Sequence, residues 1–549
     1  MVYLVRALIA VVIVTNGYAF NLETKLAIVK EGRKGTYFGY SVAQHQLSTS
    51  SHSSTLLVGA PLGNTGQPGT NITGLMYWCP FSTRRDDCRP VNHLKAGELE
   101  RPPPTGPSGN YSKDDQWLGV AISSQGPGQY VVVCAHRYVK YSTDYRYGLG
   151  ICYSLKPDLS HHKVYPGCNG LPNQKGHEQY GYCQFGMDVE VAPDNTIVFG
   201  APGSYTWTGS TMVNSLGLGI RDSSTWFRSD VVQDTAPVPP YSMLGFAVTS
   251  GKLFGKSERM AYVGGAPKSH EMGEVVIFEK VNQGAHLQEF VKFTGDEKMA
   301  FFGHSITTID LNADGYVDLV VGSPYYRGEE NDQGGAIYIY MNGPEGLVEG
   351  TEPLKITRPI EGASFGYVVK NIGDIDHDTY DDLAVGAPHE GNGAVFIYRG
   401  SADGIRIEPS QVIRSEELRD GPVTFGYSLS GKLDMDYNGY PDLTVGAFES
   451  DTIVTLLARP VINITTNIEM EPILIDPTRK NCRDGTNLPC FMCSMFQVHG
   501  HRSVASPPSP CTTRCARTCS RKAARSASSS AAQAASTAAS AGRWCAGCA

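Results

Sequence analysis

From residue 20 to about 455 the chain runs in short apolar stretches rich in β-branched and aromatic side chains, each cut off by glycine or proline. The stretch "YVDLVVGSP" (316–324) is representative. Its apolar residues crowd together after a polar turn, too briefly for a helix and with the side chains that suit a pleated surface, so it reads as a strand. The 61 glycines and 33 prolines of the 549-residue chain fit many tight turns rather than disorder, because apolar residues alternate between them. The pattern predicts an all-β chain.

The strands come in a longer period. An aromatic-Gly doublet and a Gly-Ala-Pro-like triplet recur as a pair: "YFGYSV" with "LLVGAP" (37–61), "FGMDV" with "IVFGAP" (185–202), "LGFAV" with "YVGGAP" (244–267) and "FFGHSI" with "VVGSP" (301–324). "SFGYVV" with "AVGAP" (364–388) and "TFGYSL" with "TVGAF" (424–448) continue the series, and "WLGVAI" with "VVVCAH" (117–136) is a weaker copy. Successive doublets stand about sixty residues apart, the length of one four-stranded sheet with its turns. Such a sheet cannot bury both faces alone, and stacking copies radially solves that problem. Seven copies predict a seven-bladed β-propeller over residues 20–455; an open β-solenoid usually has a shorter period.

Three of the copies carry a polar loop between doublet and triplet. In "DLNADGYVD" the residues Asp310, Asn312, Asp314 and Asp318 occupy positions 1, 3, 5 and 9, with Gly315 at the turn. Hard oxygen donors in a flexible ring suit calcium. An EF-hand is excluded, because it needs a bidentate Glu at position 12 and flanking helices, and this chain has Val321 within a strand. The device returns as Asp374, Asp376, Asp378 and Asp382, and as Asp434, Asp436, Asn438 and Asp442, with Val385 and Val445 at position 12. The position-7 carbonyls of Tyr316, Tyr380 and Tyr440 are expected to complete each shell. About three structural Ca²⁺ sites are therefore predicted; without a cation, carboxylates this close would repel one another. The second loop departs from the pattern at Thr379, where glycine would ease the backbone.

Residues 1–19 pair Arg6 with a short apolar stretch and small residues before Phe20, which reads as a secretory signal. No later segment is long enough to span a bilayer, so export without an anchor is the expectation. Fourteen cysteines then point to disulfides. The simplest pairing in the first half joins Cys79 with Cys88, Cys134 with Cys152 and Cys168 with Cys183, although spacing alone leaves connectivity open. Sequons at Asn71, Asn110 and Asn463 fit a glycosylated exterior. The net charge of −8, with no basic tract in the ring, argues against nucleic acid. Residues 456–498 read as a linker and the strands of a different domain. Residues 499–549 turn to Ser, Ala, Arg and Cys, too poor in large apolar residues for a core, and are expected to be disordered or a mis-predicted continuation.

Seven such repeats with cation loops in the last three, after a signal and a mature start "FNLE", resemble the head of an integrin α subunit over residues 20 to about 495. "RPVINITTNIEM" and the Cys482 and Cys490 pair look like the start of that family's thigh domain, a β-sandwich. The resemblance implies a cell-adhesion receptor subunit at the extracellular face of the plasma membrane, working as a heterodimer with an integrin β subunit on extracellular matrix or cell-surface ligands. It also implies further domains and a membrane helix that residues 1–549 do not include, hence the expectation of a truncated chain. Gly119 and Gly186 stand close to one repeat length apart, leaving no room for the inserted ligand domain of some members.

By the same resemblance, the β subunit inserts a basic side chain into a ring of aromatics at the upper centre of the propeller, through cation–π attraction and burial. The motif positions carry this to Tyr40, Trp117, Phe246, Tyr367 and Tyr427, while Met187 and His304 stand at equivalent places without matching. Members that read Arg-Gly-Asp ligands carry an acid before the fourth doublet. Here "PVPPYSMLGF" (237–246) has none, and Glu178 is the nearby counter-charge, which favours a laminin-type ligand. The cation loops are implied to lie on the underside, away from ligand. A propeller enzyme is the rival, but the clustered carboxylates are accounted for by the loops, and His161 and His162 are expected in a solvent-facing polar loop. A soluble secreted decoy is the other alternative.

Overall fold

The structure, a computed structural model, describes residues 21–49, 53–64, 70–91, 110–142, 145–217, 226–281, 285–328, 333–461, 463–469 and 493–499. The chain divides between Arg459 and Pro460 into two units. In the first, each doublet opens the innermost strand of a four-stranded antiparallel blade, and the triplet ends the second strand. The fifth blade shows the plan: Ser305–Ile309, Asp318–Ser323, Ala336–Tyr340 and Leu354–Thr357.

The innermost strands are Ser41–Gln46, Ile122–Ser124, Val189–Val191, Val248–Gly251, Ser305–Ile309, Val368–Gly373 and Ser428–Ser430. Each touches the next in that order, and the last touches the first. That circuit is a closed seven-bladed β-propeller. The third and fourth blades are further joined at their rims, where Arg228 and Ser229 pair in parallel with His286 and Leu287. A small three-stranded sheet, Asn110–Ser112, Val139–Tyr141 and Arg146–Gly148, accompanies the second blade.

The repeat motif is a packing device. The first doublet residue, including Phe38, Phe185, Phe302, Phe365 and Phe425, is fully buried between blades. The triplet glycine lets the next blade approach. A Cβ on Gly386 would lie 2.1 Å from the carbonyl oxygen of Gly426, and one on Gly446 would lie 2.1 Å from that of Gly39, so these contacts admit no side chain. Cys134 replaces this glycine in the second blade; Gly186 packs against it, and the strand is bonded through Cys134 to Cys152.

The ring closes through the strand that precedes the first blade. Leu22–Glu31 forms the outer strand of the seventh blade, with Leu22 opposite Ala458 and Glu31 opposite Thr452. This pairing carries the last propeller strand, Thr452–Ala458, past residue 455. Buried Lys30 reaches across the seam to Asp87 (2.6 Å) and to the Arg84 carbonyl (2.7 Å). His161 and His162 correct the loop expectation. They lie half-buried in the strand His161–Tyr165, with His162 Nδ1 3.0 Å from Ser154 Oγ, because alternate residues of that strand cover the blade. In the second unit the described residues form one antiparallel pair, Asn463–Glu469 with Cys493–His499. Cys482, Cys490, residues 1–19 and the tail from 500 onward lie outside the described residues.

Candidate functional site

Each polar loop joins the first two strands of its blade and is stitched by its own carboxylates. The position-1 aspartate accepts the amide of position 6: Gly315 to Asp310 (3.0 Å), Thr379 to Asp374 (2.8 Å) and Gly439 to Asp434 (2.7 Å). Thr379 does this at φ 81°, the left-handed backbone that the sequence flagged as costly for a β-branched residue. The position-5 side chain accepts the amide of Tyr316, Tyr380 or Tyr440. The position-9 aspartate is fully buried and spans two segments. Asp318 takes amides from Leu311 and Asn342, Asp382 from Ile375 and Gly400, and Asp442 from Met435 and Ala458.

Burial pushes these three carboxyls up to about 7, 8 and 7, partly offset by the donated amides and raised again by the neighbouring acids. Within the second loop Asp374, Asp376 and Asp382 bring carboxylate oxygens within 4.8 Å of one another, as do Asp434, Asp436 and Asp442 in the third. The first loop has the amide Asn312 at position 3 in place of an acid and turns its Nδ2 to Asp314 (2.9 Å). It nevertheless leaves Asp310 Oδ1 buried without a hydrogen-bond partner. An all-oxygen donor set, raised carboxyls and an orphaned buried oxygen fit a hard divalent cation.

The second loop also has contacts that the sequence did not suggest. Arg399 forms an ion pair with Asp376 (2.7 Å), and His377 Nε2 donates to the Gly439 carbonyl (2.6 Å) of the third loop, its ring 4.3 Å from that of Tyr440.

At the other end of the inner strands the rings that flank the doublets meet. Centroids run from Trp117 to Tyr40 (5.8 Å), Tyr40 to Tyr427 (5.1 Å), Tyr427 to Tyr367 (5.0 Å), Tyr367 to His304 (4.5 Å) and His304 to Phe246 (5.1 Å). All are half-buried, unlike the fully buried first doublet residue, so this arc is not core packing alone. His304 belongs to it. Its Nδ1 lies 3.1 Å from the Tyr367 carbonyl, and burial lowers its pKa to about 4, keeping the ring neutral. Phe448, where five of the other triplets carry proline, packs on Tyr427 (4.4 Å), Tyr37 (4.9 Å) and Tyr40 (5.6 Å). Arg137 already lies over Trp117, 5.2 Å from the ring centroid.

A family model described as FG-GAP repeat matches residues 302–340 and 371–398, which contain the first two loops. Integrin alpha-7 of Rattus norvegicus is 38% identical over 500 residues, covering 88% of this chain and 42% of the relative. Integrin alpha-6 of Gallus gallus is 37% identical over 499 residues (87% and 45%), and integrin alpha-3 of Mus musculus 38% over 496 residues (86% and 45%). The chain belongs to the integrin α family. It spans less than half the length of these curated relatives.

Within this integrin α propeller, Cys79 is bonded to Cys88, Cys134 to Cys152 and Cys168 to Cys183. Asn71 is exposed, and Asn110 pairs through its backbone with Tyr141. Asn463 opens the strand of the second unit. Glu178 is exposed at the end of a short turn, Gly176–Glu178. Beside it His177 stacks on Trp207 (5.9 Å), which stacks on exposed Tyr241 (6.3 Å). This aromatic shelf was not anticipated, because it joins loops of different repeats. Among the described residues, no helix is long and apolar enough to cross a membrane.

Proposed function

We propose that the chain supplies the α side of a cell-adhesion receptor head, pairing with an integrin β subunit at the arc of rings from Trp117 to Phe246. The continuous arc carries the reading: six side chains from separate repeats converge on one patch, where a basic side chain of the partner meets ring faces and is desolvated. Matrix or cell-surface ligand is held jointly with the β subunit, whose metal takes the ligand carboxylate. The shelf of His177, Trp207 and Tyr241 with Glu178 beside it is the ligand-facing surface of this chain. The absence of an acid in 237–246 favours a laminin-type ligand over Arg-Gly-Asp.

Calcium in about three loops is structural in this reading. The doublet and the loop stand at opposite ends of the same inner strand, such as Ser305–Ile309, so the cations lie roughly 15–20 Å from the arc. Three disulfides support an extracellular setting. A soluble secreted decoy would use the same surfaces.

Co-expression with candidate β subunits tests the pairing. Tyr427→Ala, which removes the ring between Tyr40 and Tyr367, is expected to reduce β-subunit capture at least tenfold, on the order of one central aromatic anchor. Undiminished capture would sink the assignment of the arc.

A further inference from the structure

The arc is densest where the ring closes. Tyr427 and Phe448 come from the seventh blade, Tyr37 and Tyr40 from the segment crossing into the first, and Trp117 from the segment entering the second. Ser428 Oγ of the seventh blade donates to the Gly39 carbonyl (2.9 Å), and a second side chain gathers the rest of the crossing segment. Asp451, in the turn that also carries Phe448, is buried and left-handed (φ 51°). Its carboxylate accepts the amides of Gly35 (2.6 Å), Thr36 (3.0 Å) and Phe38 (3.1 Å) and the Thr36 hydroxyl (3.3 Å), and its carbonyl accepts the Gly32 amide (2.8 Å).

We propose that Asp451 is the positioning residue of the docking face, linking β-subunit pairing to closure of the propeller ring; this rests on the docking reading above. The carboxylate gathers consecutive amides into a cradle, and hydrogen bonds to a charged acceptor are stronger than neutral ones. If the crossing segment lifts, a buried carboxylate and several amides lose their partners together, and Tyr37 and Tyr40 leave Phe448 and Tyr427. A basic side chain seated among Tyr40, Tyr427 and Trp117 touches rings on both sides of the seam, so it binds the closed ring better than the open one. Linkage is reciprocal. Pairing strengthens closure by the factor by which closure strengthens pairing.

The test uses the full chain co-expressed with its β subunit. Hydrogen exchange at the amides of Gly35, Thr36 and Phe38 is compared between the free chain and the heterodimer, with amides of the Asp318–Ser323 strand as an internal reference. Pairing is expected to slow the seam amides at least tenfold while leaving the reference unchanged. Asp451→Asn, similar in shape but uncharged, is expected to weaken β-subunit capture about tenfold although every ring of the arc remains. Seam amides that exchange equally fast in both states overturn the proposal, and this measurement on the unaltered chain stands even if Asp451→Asn is not secreted. Tyr427→Ala separates the two claims. Normal capture of that variant defeats the docking reading itself, whereas weakened Tyr427→Ala with undiminished Asp451→Asn defeats only the role of Asp451.

Discussion

Chelating divalent cations is expected to lower the melting temperature of the propeller by roughly 9 °C from its value at cation concentrations about a hundredfold above the dissociation constants. At that saturation each site contributes about 2.7 kcal/mol, so three give roughly 8 kcal/mol, set against the unfolding entropy of a domain this size. The physical source is in the position-9 carboxylates. Asp318, Asp382 and Asp442 are fully buried yet must be ionised to hold a cation, and each ties the loop to the strand beyond it. Differential scanning calorimetry with and without chelator reads the effect. An unchanged melting temperature would show the loops to be ordinary acidic turns.

The pH dependence has a definite sign. With folded values pushed up to about 7, 8 and 7 against an unfolded value near 4, the cation-free folded state holds more protons than the unfolded state across that interval. Its stability therefore falls as pH rises from about 4 and levels off above about 8. A bound cation keeps the same groups ionised, and protons compete with it at the acid end. The chelator-induced drop should be larger at about pH 8 than at about pH 5.5; the reverse order would contradict the assignment of these groups.

The ring was legible because its signature is local and repeated. A doublet and a triplet about sixty residues apart mark each blade, and the glycines in them answer a contact that recurs at one interface after another. What remained hidden depends on residues far apart in sequence. "LETKLAIVKE" carries no mark of its partner, because its pairing with Thr452–Ala458 joins the two ends of the ring. The repeat puts His304 at an arc position, but its residue type breaks the aromatic pattern, although a neutral imidazole fills the same gap between two rings. Phe448 carries a local mark, since it replaces the proline of the triplet in "TVGAF". The ion pair of Arg399 with Asp376 and the bond from His377 to Gly439 arise from how neighbouring strands and blades face one another, and no spacing within one repeat encodes them. Likewise, the cation loops were readable as ligand sets, while the direction of the Asn312 amide, whose Nδ2 faces Asp314, was not.

Gly386→Ala is expected to abolish folding of the propeller, with a destabilisation above about 4 kcal/mol. One methyl group is ordinarily a small change, and in a strand interior alanine would even lower the entropy cost of glycine. Here the added Cβ would stand 2.1 Å from the Gly426 carbonyl oxygen and 2.6 Å from Val368 Cγ1. The obstacle is backbone of the next blade, not the end of a flexible chain, so the sixth and seventh blades must move apart. In a closed ring that displacement cannot be absorbed locally, because the seventh blade is fixed to the first by the Gly446 and Gly39 contact and by Asp451. Gly343→Ala is the control: its Cβ meets nothing within 4 Å, and its stability should stay within about 0.5 kcal/mol of the parent. Secretion yield and thermal unfolding of the two variants measure the contrast. A Gly386→Ala protein that melts like the parent would mean that the blades are not packed glycine to glycine, and the explanation offered for the repeat motif would fall with it.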